Sequence, residues 1–112
     1  MPSELQRLKA DLFRALAHPV RIGLLEQLAG GERTVQELQH ATALEQPVVS
    51  QHLAALRARQ VVAVRREGTT AVYTLRSPQV AELLRVAREF LSHQLSANQS
   101  MLRELRREGR RS

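Results

Sequence analysis

The sequence predicts a mainly α-helical domain with one small β-hairpin, in the order α-α-α-α-β-β-α. Three observations predict it. Apolar residues recur at three- and four-residue spacing through most of the chain. Pro19, Gly30-Gly31, Pro47 and Pro78 interrupt that spacing, as helix starts and stops do. Between residues 61 and 76 the period drops to two around Gly68.

Each element follows from its own residues. Residues 3 to 17 read as a helix, because Ser3 and Gln6 fit a capping box and Leu5, Leu8, Leu12 and Leu16 recur on one face. Pro19 restarts the chain into a second helix, which carries Ile22, Leu25, Leu28 and Ala29 and stops at Gly30-Gly31. Thr34 and Glu37 form another capping box, opening a short helix to about His40. "ATALEQ" is a turn, and Pro47 begins a fourth helix that runs to about Arg59. Residues 61 to 67 and 70 to 76 are strands joined at Gly68, with Ala71, Tyr73 and Leu75 alternating with Thr70, Val72 and Thr74. Ser77-Pro78 then caps a last helix reaching about Glu108. This order is that of a winged helix-turn-helix with extra helices at both ends, one domain over residues 1–112.

Composition narrows the function. A chain of 112 residues fits one domain of the usual size, about 100 to 200 residues. No run approaches the roughly 20 apolar residues that span a bilayer, and the start, "MPSELQRLKADLF", lacks the basic and apolar blocks of a signal peptide. The expected location is cytoplasmic, with no membrane partner. There is no cysteine, which removes disulfides, thiolate metal sites and cysteine nucleophiles together. The formal net charge of +6 favours an anionic partner such as nucleic acid. All basic residues but Lys9 are arginine, a skew that base composition of a genome can produce, so placement of charge counts for more than its total.

The placement points one way. On the helix from 47 to 59, Val49, Leu53 and Leu56 share a narrow stripe that must face a core. Pro47, Ser50, Gln51, Ala54 and Ala58 fall on the far side, where large side chains are absent. Such a face fits a major groove, where Gln51 can offer donor and acceptor to a base edge and Val48 can touch a thymine methyl. His52 lies nearer the apolar stripe and is expected to pack there. An ordinary solvated face accounts equally well for Ser50 and Gln51 taken alone. The preceding helix and turn complete a helix-turn-helix, and Arg57, Arg59, Arg65 and Arg66 follow with no acid between them. Arg65, Arg66 and Thr69 flank a hairpin turn that can reach phosphates or a minor groove, although edge strands also carry solvated charge.

With these marks in place, the stretch from "LAHPVR" through "TVQEL" and "VSQHLAALR" to "RREGTTAVYTL" resembles the ArsR/SmtB family of bacterial winged-helix repressors, over nearly the whole chain. The resemblance implies major-groove contacts at Gln46, Val48, Ser50 and Gln51, and wing contacts at Arg65, Arg66 and Thr69. Pro47 stands where relatives often carry Ser, so a hydroxyl contact to phosphate is lost there.

Many members of that family sense metals, and the matching positions here are depleted. A cysteine of one family site falls on Thr34. The ligands of another, on the terminal helices of two subunits, fall on Ser77, Gln79, Phe90 and His93, of which only His93 can ligate. Of the four histidines, His18 is expected to cap a helix and His40 to sit favourably at a helix end. Glu89 precedes His93 by one turn, and an i, i+4 pair can bind nickel, cobalt or zinc without cysteine, though most such pairs are helix-surface pairs.

Two function classes therefore stand. One is a homodimeric, sequence-specific DNA-binding transcription regulator of the repressor type, with Arg57 joining the contacts above. The other is a winged-helix module that works with a partner protein without reading DNA. The polar groove-facing residues and the basic wing favour the first. No Ser/His/Asp signature, phosphate loop or paired buried carboxylate suggests an enzyme. Dimerisation follows from leftover hydrophobicity: Leu84, Ala87, Leu91, Leu95, Asn98, Leu102 and Leu105 step by three and four, and Leu5, Leu8 and Leu12 offer a second stripe. Pairing both terminal helices about a two-fold axis covers these stripes and implies an imperfectly palindromic operator.

Overall fold

A computed structural model describes residues 1–111 and the side chains of residues 1–109; Ser112, the last residue of the expected domain, lies outside the described residues. Helix α1 (Glu4–Leu16) starts at Ser3, whose hydroxyl accepts from the Gln6 amide at 3.1 Å while the Gln6 side chain accepts from the Ser3 amide at 2.9 Å. That reciprocal pair satisfies donors that a helix start leaves open. Helix α2 (Pro19–Ala29) follows His18, whose Nδ1 accepts from the Val20 amide at 3.1 Å. The helix ends at Gly30, and Gly31 takes φ 136°, a conformation L side chains rarely adopt.

The next element departs from the expected order. Strand β1 (Arg33–Thr34) is only two residues long, and Thr34 also caps helix α3 (Val35–Thr42) in a box with Glu37. Two residues carry no periodicity, so only pairing with a distant strand reveals them. Helix α3 runs past His40 to Thr42, where the Thr42 hydroxyl donates to the Leu38 carbonyl at 2.6 Å, and Ala43 closes it at φ 57°. Helix α4 (Gln46–Ala58) ends in a Schellman-type turn: Gln60 adopts φ 60°, and the Val61 amide donates to the Leu56 carbonyl at 3.0 Å. Strands β2 (Val62–Glu67) and β3 (Thr70–Leu75) form the hairpin about Gly68, at φ 62°. The sheet is antiparallel in the order β1-β3-β2, with Val64 opposite Tyr73, Arg65 opposite Val72 and Arg66 opposite Ala71.

Leu24, Leu25, Leu38, Val49, Leu53 and Leu56 are fully inaccessible, and Leu16, Leu28, Val61, Val62 and Val72 join them in the core. Each such aliphatic side chain contributes roughly 1.5–3 kcal/mol of burial. The core sits where α2 meets α3, α4 and β3, so α4 is held along its inner face. The α1 stripe divides. Leu16 is in the core and Leu12 is half-buried, whereas Leu5 and Leu8 stand 60% and 58% exposed.

Residues 1–81 form this compact unit. Helix α5 (Pro78–Arg111) begins in it, with the Ser77 hydroxyl accepting from the Gln79 amide at 3.2 Å, and from Glu82 onward makes a second unit. Its 34 residues are about 51 Å long at 1.5 Å per residue. Among the described residues no helix is long and apolar enough to cross a membrane.

Candidate nucleic-acid interface

Helices α3 and α4 meet through Ala43, Leu44 and Glu45, and the left-handed Ala43 makes the change of direction short. The inner stripe of α4 is as the sequence implies: Val49, Leu53 and Leu56 are each 0% exposed. Its opposite face carries Gln51, Ala54 and Ala58, all exposed, with Val48 and Ser50 half-buried at the flanks. Gln46 Nε2 donates to the Ser50 hydroxyl at 2.7 Å. That bond occupies a lone pair on the Ser50 oxygen and leaves its hydrogen free to donate outward. The Gln51 amide has no partner among the described residues, so both its donor and its acceptor are available. Arg57 ends the same helix, exposed and, among the described residues, without a carboxylate partner.

The wing treats its two arginines differently. Successive residues of a strand point to opposite faces. Arg65 shares a face with Glu67, and its guanidinium donates to Glu67 at 2.6 Å and to both carboxylate oxygens of Glu32, one of them at 3.0 Å. The Arg65 hydrogen bonds hold the Glu32 carboxyl below its ordinary value, and the two carboxylates hold the Arg65 guanidinium firmly protonated. Arg65 was expected to contact DNA. Its guanidinium is held by two carboxylates and ties β2 to the loop before β1. Arg66 faces the other way, exposed and, among the described residues, without a carboxylate partner. It lines a cleft of about 390 Å³ together with Gln36 and Gln39 of α3, Gln46 and Ser50 of α4, and Thr69 of the turn. The start of the second helix and the free wing arginine thus border one opening.

The remaining expectations separate cleanly. Leu91 and Leu95 are 53% and 62% exposed, and Leu84 is half-buried. Leu83, Val86, Phe90 and Met101 are also exposed, so the apolar face of α5 is wider than the expected seam, and Phe13 is exposed on α1. His18 caps α2, and His52 packs against it with ring centroids 4.4 Å apart. Of the two proposed metal ligands, Glu89 is in an ion pair with Arg85 and His93 is exposed. Among the described residues no three His, Cys, Asp or Glu side chains gather at one point. Sequence reasoning missed Glu32 as the anchor of Arg65, although the alternation of β2 was enough to show that Arg65 and Arg66 point to opposite faces. It also missed Arg21, which donates to His52, because a bond across 31 positions leaves no local trace.

A three-stranded wing beside a helix-turn-helix, with small polar side chains outward on its second helix, defines a winged helix-turn-helix protein. Residues 18–63 match the bacterial regulatory protein arsR family. The chain is 45% identical over 111 residues, 97% of each chain, to the HTH-type transcriptional regulator Rv0081 of Mycobacterium tuberculosis. The crystal structure of that protein superposes with a TM-score of 0.78 at 43% identity, covering 87% of this chain and 98% of the other. The HTH-type transcriptional repressor SmtB of the same species is 41% identical over 83 residues, 74% of this chain and 62% of its own. A homodimeric winged helix-turn-helix DNA-binding domain of Mb0332 from Mycobacterium bovis matches with a TM-score of 0.77 at 31% identity, over 86% of this chain and 93% of the other. This chain belongs to the arsR family of bacterial regulatory proteins and is not an enzyme.

Proposed function

We propose that the chain is a homodimeric, sequence-specific DNA-binding transcriptional regulator of the repressor type, acting on an imperfectly palindromic operator. One observation carries the reading: Gln46 and Ser50 of α4 and the unpaired Arg66 of the wing border the same opening. Groove-reading side chains and a phosphate-binding cation therefore lie within reach of one duplex. Gln51 and Ser50 read base edges, Val48 meets a thymine methyl, and Arg57, Arg66 and Thr69 contact the backbone. Arg65 supports the wing from its other face. The repressor assignment draws on the name of the SmtB relative, and the homodimer on the Mb0332 domain and on the open leucines of α1 and α5. A two-fold dimer presents its recognition helices about one helical turn of DNA apart, roughly 34 Å, which is why the operator is expected to be palindromic.

Selection of duplexes from a random-sequence pool by the purified protein, followed by gel shift at two salt concentrations, tests the reading. A recovered two-fold motif with salt-sensitive binding supports it. Failure to enrich any sequence would overturn it in favour of a module acting through a partner protein.

A further inference from the structure

His52 lies on α4 directly after Gln51, on the flank that turns toward the body of the domain. Its Nδ1 accepts a hydrogen bond from Arg21 Nε at 3.1 Å, joining α2 to α4. The same guanidinium donates through Nη1 to the Ala15 carbonyl at 3.1 Å, so one side chain ties the end of α1 and α2 to α4. On its other side the His52 ring meets the His18 ring, tilted by 49° at 4.4 Å. His18 is itself committed as an acceptor, because its Nδ1 takes the Val20 amide that opens α2. Resting on the DNA-binding reading above, we propose that His52 is a positioning residue for DNA recognition. Held between Arg21 and His18, it sets the seat of α4, and protonation of His52 unseats the helix and weakens DNA binding.

The chemistry allows only one sign. An imidazolium carries two donors and no acceptor. Protonating His52 turns its nitrogen from a partner of the Arg21 N–H into a second N–H facing it. It also places a cation against Arg21. The charged groups around the pair offer no relief. From α1, Asp11 and Arg14 line the adjacent cleft with Arg21 and with Arg59, the residue just past α4. Asp11 is already bonded to Arg14 at 2.9 Å, and among the described residues no carboxylate bonds to either ring. Burial, followed by the His18 and Arg21 charges, holds His52 below the ordinary histidine value of 6.5. The unfolded chain therefore binds the proton more readily. The stability that His52 contributes is full above about pH 6.5 and is lost as pH falls through that value toward the lower folded one. Simple charge accumulation predicts the opposite for DNA, since acidification makes the protein more cationic.

The test uses the full chain and a duplex it selects from a random pool at pH 7.5. Wild type is compared with H18N/H52N. Asparagine offers an acceptor at every pH, suits an N-cap at position 18, and has a helix propensity close to that of histidine at position 52. Wild-type affinity is expected to fall by about three- to tenfold from pH 7.5 to 5.5, one unit of proton coupling being a tenfold change in equilibrium constant. The variant is expected to bind equally well or more tightly at the lower pH. Equal or tighter binding by wild type at pH 5.5, or an equal loss in the variant, overturns the proposal. Denaturation midpoints across the same range, without DNA, test the coupling itself: a decline equally steep in both proteins overturns it. If no duplex is selected, the DNA-binding reading fails and takes the DNA half of the proposal with it, while the midpoints still support or overturn the coupling. Should the double variant not fold, H52N alone provides the same comparisons.

Discussion

Replacing Arg66 with alanine should weaken DNA binding by a factor that depends on salt, whereas replacing Arg65 should weaken it by a factor that does not. Both are arginines of β2, one residue apart, and a charge count treats them alike. Their surroundings do not. Arg66 borders the cleft beside Gln46 and Ser50 with no carboxylate partner, so a phosphate it contacts releases a counterion that otherwise stays condensed. Loss of one such contact lowers the slope of log K against log salt by about 0.9. Over a fourfold rise in salt, from about 50 to 200 mM, that slope corresponds to a difference of about 3.5-fold. Arg65 is already neutralised by Glu32 and Glu67, so its removal takes away no counterion release. Its loss loosens the wing and lowers affinity by a similar factor at every salt concentration. Glu32→Gln leaves Arg65 paired with Glu67 alone, adds one net positive charge to the wing and should raise affinity most at low salt. Fluorescence anisotropy with the selected duplex at several salt concentrations measures all three variants. If Arg65→Ala flattened the salt slope as much as Arg66→Ala, Arg65 would be exchanging its carboxylates for phosphate, and the argument from strand alternation would be wrong.

Gln51→Ala should cost roughly 1–3 kcal/mol at one base position of the operator and leave folding intact; a uniform loss over all sequences, measured by competition gel shift, would show that Gln51 does not read a base. Changing Leu91 and Leu95 together to Glu places charges on the open face of α5 and should give monomers in light scattering that lose specific binding. A variant that stays dimeric would move the interface elsewhere. Thr34→Ala removes the side-chain half of the α3 capping box and should lower stability by about 1 kcal/mol in denaturant titration. No change would mean that water caps the helix equally well.

Much of this protein is written in local pattern. The capping boxes at Ser3 and Thr34, Pro19 and Pro47 in first turns, and Gly68 in the hairpin turn all act through contacts three or four residues long. Such contacts are encoded where they occur. The stripe of Val49, Leu53 and Leu56 is likewise set by helix geometry alone, and with it the outward position of Gln51. The outward face of α4 was therefore legible from residues 46 to 58. Its chemistry was legible too, because only small and polar side chains remain on that side.

What the tertiary structure decided are the pairings between distant positions. Strand β1 exists because Arg33 and Thr34 lie opposite Tyr73 and Val72, about forty positions away in the chain. Leu16 and Leu8 share a helical stripe, yet only Leu16 reaches the core, since α1 extends past the elements it packs on. Glu32 selects Arg65, leaving Arg66 to the cleft, because sheet register brings the loop before β1 to one face of β2. His18, Arg21 and His52 meet because α2 packs on α4. Periodicity fixes which way a side chain points along its own element. Which partner waits there depends on loop closure and register, and these are properties of the whole folded chain rather than of any window within it.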